Sequence, residues 1–280
     1  MEIIKAILFG IIEGITEWLP VSSTGHMILL DELIHLRVGE GEFATEFYNM
    51  FEVVIQLGAI LAVILLFFRK LNPFALSKTA EEKKATWSLW FRVLAAILPS
   101  GLIGVLFDDF LDAKLGNYVV VALMLIVYGV AFVLIERGNK QPRITSTDAI
   151  TWRTALLIGA FQVLSLIPGT SRSGATILGA MLLGLSRTAA SEFSFFMASP
   201  TMAGASLVRG YKFFDYVAES GVTVPTEAWL VLAAGFLTAL VVSLASIKFL
   251  MDFVKRHTFT AFGIYRIALG ALVLGYFLVR

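Results

Sequence analysis

Pro20-Val21-Ser22-Ser23-Thr24-Gly25 and Pro168-Gly169-Thr170-Ser171-Arg172-Ser173-Gly174 each interrupt an apolar segment, 3–36 in the first case and 154–186 in the second. Proline removes a helix hydrogen bond and glycine ends a turn, while nearby hydroxyls can satisfy the backbone groups that are released. Non-helical backbone at membrane depth is tolerated only against protein or a wet cavity. The arms beside each break are shorter than a full crossing or carry ionisable groups. Both segments therefore read as re-entrant helix hairpins rather than as pairs of spans.

Outward from the hairpins, apolar runs follow in threes: 48–68, 93–107 and 117–135 after the first, then 188–209, 228–251 and 261–279 after the second. Pro99 and Pro200 lie inside two of them. The chain of 280 residues is 58% hydrophobic and only 15% charged, with mean hydropathy +0.84. That apolar share is well above that of a soluble domain. The expected fold is all-α, a polytopic membrane protein with six full transmembrane helices plus two re-entrant helix hairpins.

The two breaks also resemble each other. Each reads Pro, then serines, then Gly, and the arms before them carry Gly10 and Glu13 in one case and Gly159 and Gln162 in the other. Three spans per hairpin is an odd number, so the second unit must lie upside down relative to the first, as in an inverted repeat. One membrane domain, 1–280, built of repeats 1–140 and 150–280, is expected. Lys and Arg accumulate in cytoplasmic loops. Segments 69–92, 136–153 and 252–257 hold six, four and two of them, whereas 31–47, 108–116 and 210–227 hold one each, Arg37, Lys114 and Lys212. Both termini are then outside, the first hairpin dips in from outside, and the second enters from the cytoplasm. Met1–Leu19 reads as mature structure rather than a signal peptide, because Glu13 and Glu17 break its apolar core and no small-residue cleavage site follows.

Composition narrows the chemistry. A net charge of +1 gives no electrostatic case for nucleic acid. The absence of cysteine excludes disulfides, thiolate catalysis and cysteine metal sites, and only His26, His35 and His257 are present. Glu13 and Glu17 are four apart, so both carboxylates share one helix face. Two like charges in a dry site need a cation or an Arg between them. The competing reading, an arm at the interface with its acids in water, fits poorly because Trp18, Leu19 and Pro20 run straight into the hydroxyl-rich break. Ser22, Ser23, Thr24 and His26 follow within nine residues of Glu17. A Ser or His beside a carboxylate is the arrangement of an activated nucleophile or of a general acid/base pair. Serines before a helix are also ordinary N-caps, a reading that applies to Ser22 and Ser23.

Thr170, Ser171, Arg172 and Ser173 place a guanidinium among hydroxyls at the start of a new helix arm, Ala175–Leu185. Helix N-terminal amides together with Arg form a phosphate-binding arrangement. The alternative, an Arg snorkelling to the interface, is better served by Arg187. If the hairpins meet tip to tip, acids for a metal or proton and Arg for phosphate share one cavity. Glu52, Gln56, Glu192 and Arg266 read as supporting or structural partners. Asp108, Asp109 and Asp112 read as a solvated acidic loop, and Met181, Met197, Met202, Phe193, Phe195 and Phe196 as lipid- or core-facing bulk.

At these residues the sequence resembles the undecaprenyl-diphosphate phosphatases, the bacitracin-resistance family. Glu13-Gly-Ile-Thr-Glu17-Trp-Leu-Pro-Val-Ser-Ser-Thr-Gly-His26 is similar to the family's first signature and Pro168-Gly-Thr-Ser-Arg-Ser-Gly-Ala-Thr176 to its second. Phe51-Glu-Val-Val-Ile-Gln-Leu-Gly58, Ala190-Ser-Glu-Phe-Ser-Phe195 and Ile264-Tyr-Arg266 also fit, so the likeness runs from residue 9 to 266. Segment 37–47 is longer than the family pattern and reads as an insertion in an outer loop.

The resemblance implies hydrolysis of undecaprenyl diphosphate to undecaprenyl phosphate, the carrier lipid of cell-wall (peptidoglycan) synthesis, and with it bacitracin resistance. It also implies a divalent cation, Mg²⁺ or Ca²⁺, in a multi-pass protein of the bacterial inner membrane whose site opens to the outer face. Carried over, Glu13 and Glu17 are the acidic pair that holds the metal, Ser23 and His26 the candidate nucleophile and acid/base, and Arg172 with Ser171, Ser173 and Thr176 the phosphate pocket. The expected site is then catalytic Glu17, Ser23, His26 and Arg172, with Ser22, Thr24, Ser171, Ser173 and Thr176 binding substrate or phosphate. Whether Ser23, His26 or a metal-bound water attacks stays open, and a homodimer is compatible with this reading.

Rival functions remain at this stage. A lipid flippase or secondary transporter also fits an inverted repeat with broken helices, although a carrier needs no nucleophile. The other membrane lipid-phosphatase superfamily needs a nucleophilic His soon after its Arg, and none occurs between Ser173 and Leu185.

Overall fold

The computed structural model describes residues 1–115, 117–138 and 141–279, with side chains omitted at 108–113 and 279. Among these the chain is helical: α1 (Glu2–Thr16), α2 (Ser23–Ile34), α3 (Gly41–Leu66), α4 (Phe68–Leu71), α5 (Ala80–Leu115), α6 (Tyr118–Arg137), α7 (Trp152–Val163), α8 (Arg172–Leu182), α9 (Arg187–Ser220), α10 (Thr226–Arg256) and α11 (Thr260–Val279). Local sequence explains several starts. Thr79 and Glu82 exchange side chain-to-amide hydrogen bonds of 2.7 and 3.2 Å, a capping box that opens α5. Asn117, Thr151 and Ser186 cap α6, α7 and α9 through their side-chain oxygens.

Five helices are long and apolar enough to cross a membrane: Gly41–Leu66, Ala80–Phe107, Tyr118–Arg137, Thr226–Arg256 and Thr260–Leu278. The chain is a multi-pass membrane protein. The sixth expected span, 188–209, is helical within α9 but is not among the five. The reason is composition, because Ser191, Glu192, Ser194, Ser199, Pro200 and Ser206 dilute its apolar run, and the surroundings match, since Phe193, Phe195, Phe196, Met197 and Ala198 are enclosed by protein together with Ser191, Ser194, Ser199 and Ser206. A helix wrapped in protein need not present apolar surface to lipid. Lipid-facing α5 is the opposite case, with Leu98 and Leu102 each 65% and Val105 85% exposed. α5 is also longer than its expected 93–107, reaching from Ala80 to Leu115. The residues read as an acidic loop, Asp108, Asp109 and Asp112, therefore fall on helical backbone, and their side chains lie outside the described residues.

The short arms α1/α2 and α7/α8 occupy the two interrupted segments, and their packing is matched. α1 runs along α10, and α7 runs along α5. α3 meets α9, and α6 meets α11. Gly10 allows the first of these approaches, since an added Cβ would stand 2.7 Å from the Gly235 carbonyl oxygen. Gly159, its counterpart in the second arm, sits directly against the Ala96 carbonyl. Between the hairpins, Trp18 is fully buried and meets Phe195 edge to face, with centroids 5.1 Å apart.

Candidate active site

Both breaks start their second helix in the same way. Ser22 (φ 74°) and Ser171 (φ 70°) occupy the left-handed region, unusual for residues with a Cβ, and each caps the helix that follows. Ser22 Oγ accepts from the Gly25 amide at 3.4 Å and Ser171 Oγ from the Gly174 amide at 3.2 Å. Such backbone costs about 1–3 kcal/mol per residue and persists only where its surroundings hold it.

The breaks meet at Glu17. Its Oε1 accepts from Arg172 Nε at 3.2 Å and Nη2 at 2.9 Å, and its Oε2 accepts from the Ser23 hydroxyl at 2.9 Å. Arg172 Nη1 donates to the Ser194 carbonyl at 2.8 Å, and Ser173 donates to the Glu17 carbonyl at 3.0 Å. Arg172 and Glu17 side chains are only 10% and 6% exposed, so the pair is poorly screened. Arg172 also lies 6.0 Å from the centroid of the Trp18 ring. Glu17 thus holds the Ser23 hydroxyl with one oxygen and a guanidinium with the other.

Glu13 is buried beside this cluster, within electrostatic reach of Glu17, Glu52 and Arg172, and its Oε1 has no hydrogen-bond partner. His26 is held on two sides. Its Nδ1 lies 2.7 Å from the Ser22 carbonyl, which only accepts, so Nδ1 carries a proton. In the neutral ring Nε2 then accepts from the Tyr265 hydroxyl at 2.6 Å, and the two rings stack with centroids 5.6 Å apart.

The other candidates are placed differently. Thr24 is exposed on the first turn of α2. Ser171 shares a 3.2 Å hydrogen bond with Ser173 besides its cap. Thr176 is fully buried and turned to α9, bonding Ser194 Oγ at 2.6 Å and the Arg172 carbonyl at 2.9 Å. Glu192 pairs with Lys70 at 2.5 Å, a structural tie of α9 to α4. Sequence reasoning gave no role to Ser194 or Tyr265 and only a supporting one to Arg266. A charged residue six positions into an apolar run was the available signal for Arg266. Tyr265 and Ser194 carry none on their own.

Fold and site together define an integral membrane protein with a carboxylate, hydroxyl and guanidinium cluster enclosed between two broken hairpins. The family model described as "Bacitracin resistance protein BacA" matches residues 6–272, and the chain belongs to that family. It is 54% identical to an undecaprenyl-diphosphatase of Enterococcus faecalis, over 98% of this chain and 97% of that protein. An undecaprenyl-diphosphatase of Streptococcus mutans is likewise 54% identical, covering 100% and 97%. Undecaprenyl-diphosphatase 1 of Clostridioides difficile is 52% identical, covering 99% and 97%.

Proposed function

We propose that this protein hydrolyses undecaprenyl diphosphate to undecaprenyl phosphate and inorganic phosphate. Family membership and relatives of that name support the reaction, and the hydrogen bond from Ser23 to Glu17, whose other oxygen is held by Arg172, carries the site. In this reading Ser23 attacks the terminal phosphorus as Glu17 takes its proton. The bond from that phosphorus to the bridging oxygen breaks, and His26, in its imidazolium form with Nε2 protonated as well as Nδ1, delivers the Nε2 proton to the departing lipid phosphate and returns to the neutral ring. Water then releases phosphate from Ser23. Arg172 faces the charge that builds on the phosphoryl oxygens, and the α8 N-terminus adds backbone dipoles. Ser22, Ser171, Ser173 and Thr176 brace this cluster through their hydrogen bonds, and Thr24, exposed on the first turn of α2, is left to contact the substrate.

A divalent cation, Mg²⁺ or Ca²⁺, fits the residues present. Glu13 offers a buried, unpartnered carboxylate oxygen beside Glu17, and Mg²⁺ is commonly held by one or two carboxylates plus substrate phosphates. Glu13 and Glu17 would hold it, and bound there it would neutralise diphosphate charge. Before binding, Arg172 performs that service for Glu17 alone.

The same proposal places the protein in the bacterial inner membrane, with the site open to the outer face and both termini outside. The loop charges support it. Six crossings, with α9 as the sixth, and two re-entrant hairpins in an inverted repeat, 1–140 and 150–280, are supported by the matched pairings α1 with α10 and α7 with α5. A homodimer is compatible with this arrangement. A flippase or transporter would not require a hydroxyl bonded to a carboxylate. Phosphate release from detergent-solubilised protein, where no gradient or sidedness exists, tests the reaction; a purified, folded protein that releases none overturns it.

A further inference from the structure

Arg266 lies in α11, outside both breaks, yet it is fully buried. Its bonds go to backbone carbonyls: Nη1 donates to Pro20 at 3.1 Å, Nη2 to Gly169 and Thr170 at 2.9 Å each, and Nε reaches Leu125 at 3.5 Å. The Tyr128 ring covers it at 5.5 Å. One planar group therefore touches both breaks at once, two residues before the Ser22 cap and immediately before the Ser171 cap. Those two caps are the strained positions, and strain of this kind survives only where neighbouring groups over-determine it. Pro20 also lies between Glu17 and Ser23, and Thr170 lies two residues before Arg172. The spacing of the groups that make up the site is thus set by the same guanidinium.

We propose that Arg266 is a positioning residue of the phosphatase site: its fork clamps the carbonyls of the two breaks and so holds Ser23 and Glu17 in register with Arg172. The proposal rests on the phosphatase reading. All three Arg266 nitrogens are engaged by backbone carbonyls, so it acts on the reaction through the breaks. A lysine keeps the charge but not the fork, and from a single nitrogen it cannot hold both breaks at their present separation. Gly174 offers a gentler perturbation, because an added Cβ would stand 3.1 Å from Arg266 Nη1 and press on the clamp without removing it.

The experiment compares wild type, Arg266→Lys and Gly174→Ala in detergent, measuring phosphate release from undecaprenyl diphosphate per folded molecule. Because the chain has no cysteine, spin labels placed through Leu33→Cys and Leu164→Cys, both at exposed positions outside the site, report the distance between the hairpins in parallel preparations. Misplacing reacting groups by about 1 Å can cost about a hundredfold. Arg266→Lys is therefore expected to lower kcat roughly tenfold or more, to move KM less, and to broaden the distance distribution. Gly174→Ala should shift both in the same direction by less. A purely structural arginine would instead lower yield and melting temperature while kcat per folded molecule stayed at the wild-type value, and that result overturns the clamp. So does a fall in kcat with an unchanged distance distribution. If Arg266→Lys does not fold, Gly174→Ala decides by the same two readouts. A wild type that releases no phosphate would sink the phosphatase reading, while the distance measurement would still judge the clamp.

Discussion

Arg172→Lys keeps a positive charge at the centre of the site and removes its planar fork. In the structure three nitrogens are engaged: Nε and Nη2 on Glu17 Oε1 at 3.2 and 2.9 Å, and Nη1 on the Ser194 carbonyl at 2.8 Å. A lysine ammonium is a point charge on a flexible stem and cannot reproduce contacts that diverge in two directions. Where the fork meets the phosphoryl oxygens in the transition state, losing two charge-assisted hydrogen bonds at about 1.5–3 kcal/mol each amounts to about 3–6 kcal/mol. With about 1.4 kcal/mol per tenfold, kcat/KM should fall roughly 10²- to 10⁴-fold. The assay is phosphate release from undecaprenyl diphosphate in detergent, with the melting temperature of the same preparation showing that folded protein is being compared. A folded variant within about threefold of wild type would show that Arg172 only anchors α8 to α1 and α9, and the phosphate role would be lost.

Glu17→Gln is isosteric, so turnover should drop by roughly 10² or more while the chain stays folded; wild-type turnover would remove Glu17 as the base. Glu13→Gln should chiefly raise the Mg²⁺ concentration needed for half-maximal activity, and an unchanged Mg²⁺ response in both variants would show that the acidic pair holds no cation. Acid quenching during turnover with labelled diphosphate should trap phosphoserine at Ser23; acid-labile phosphohistidine at His26 would reassign the nucleophile, and no adduct would leave water as the attacker. Gly159→Ala should lower stability by about 1–3 kcal/mol, because a Cβ there overlaps the Ala96 carbonyl; an unchanged melting temperature would mean that α7 and α5 do not pack so closely. A cysteine introduced at position 80 should be labelled from the cytoplasm alone, and labelling only from outside would invert the layout.

The breaks were legible because Pro and Gly act locally and end the helix near Pro20 and Pro168, although the positive-φ caps at Ser22 and Ser171 are held by what surrounds them. The same holds for the long apolar helices, whose side chains must face lipid wherever they pack. α9 was harder to read as it stands in the structure, since its surroundings are protein and its apolar share says little about that. Its serines, given no role from sequence, are contacts in the interior, as the bond between Ser194 and Thr176 shows. Glu13, Glu17, His26 and Arg172 stood out by type alone, because ionisable groups are rare and costly inside apolar sequence, and Ser23 by its place beside them.

Sequence alone therefore determined that the chain lives in a membrane, where it breaks, and which polar and ionisable residues stand beside the breaks, all consequences of short-range stereochemistry and of solvent preference. Who partners whom was decided only by tertiary structure. Glu17 and Arg172 lie 155 residues apart, and Arg266 reaches Pro20 across 246. Distances of that kind in sequence leave no local pattern. They arise when two hairpins, neither able to bury its own broken backbone, satisfy each other's carbonyls and charges in the interior.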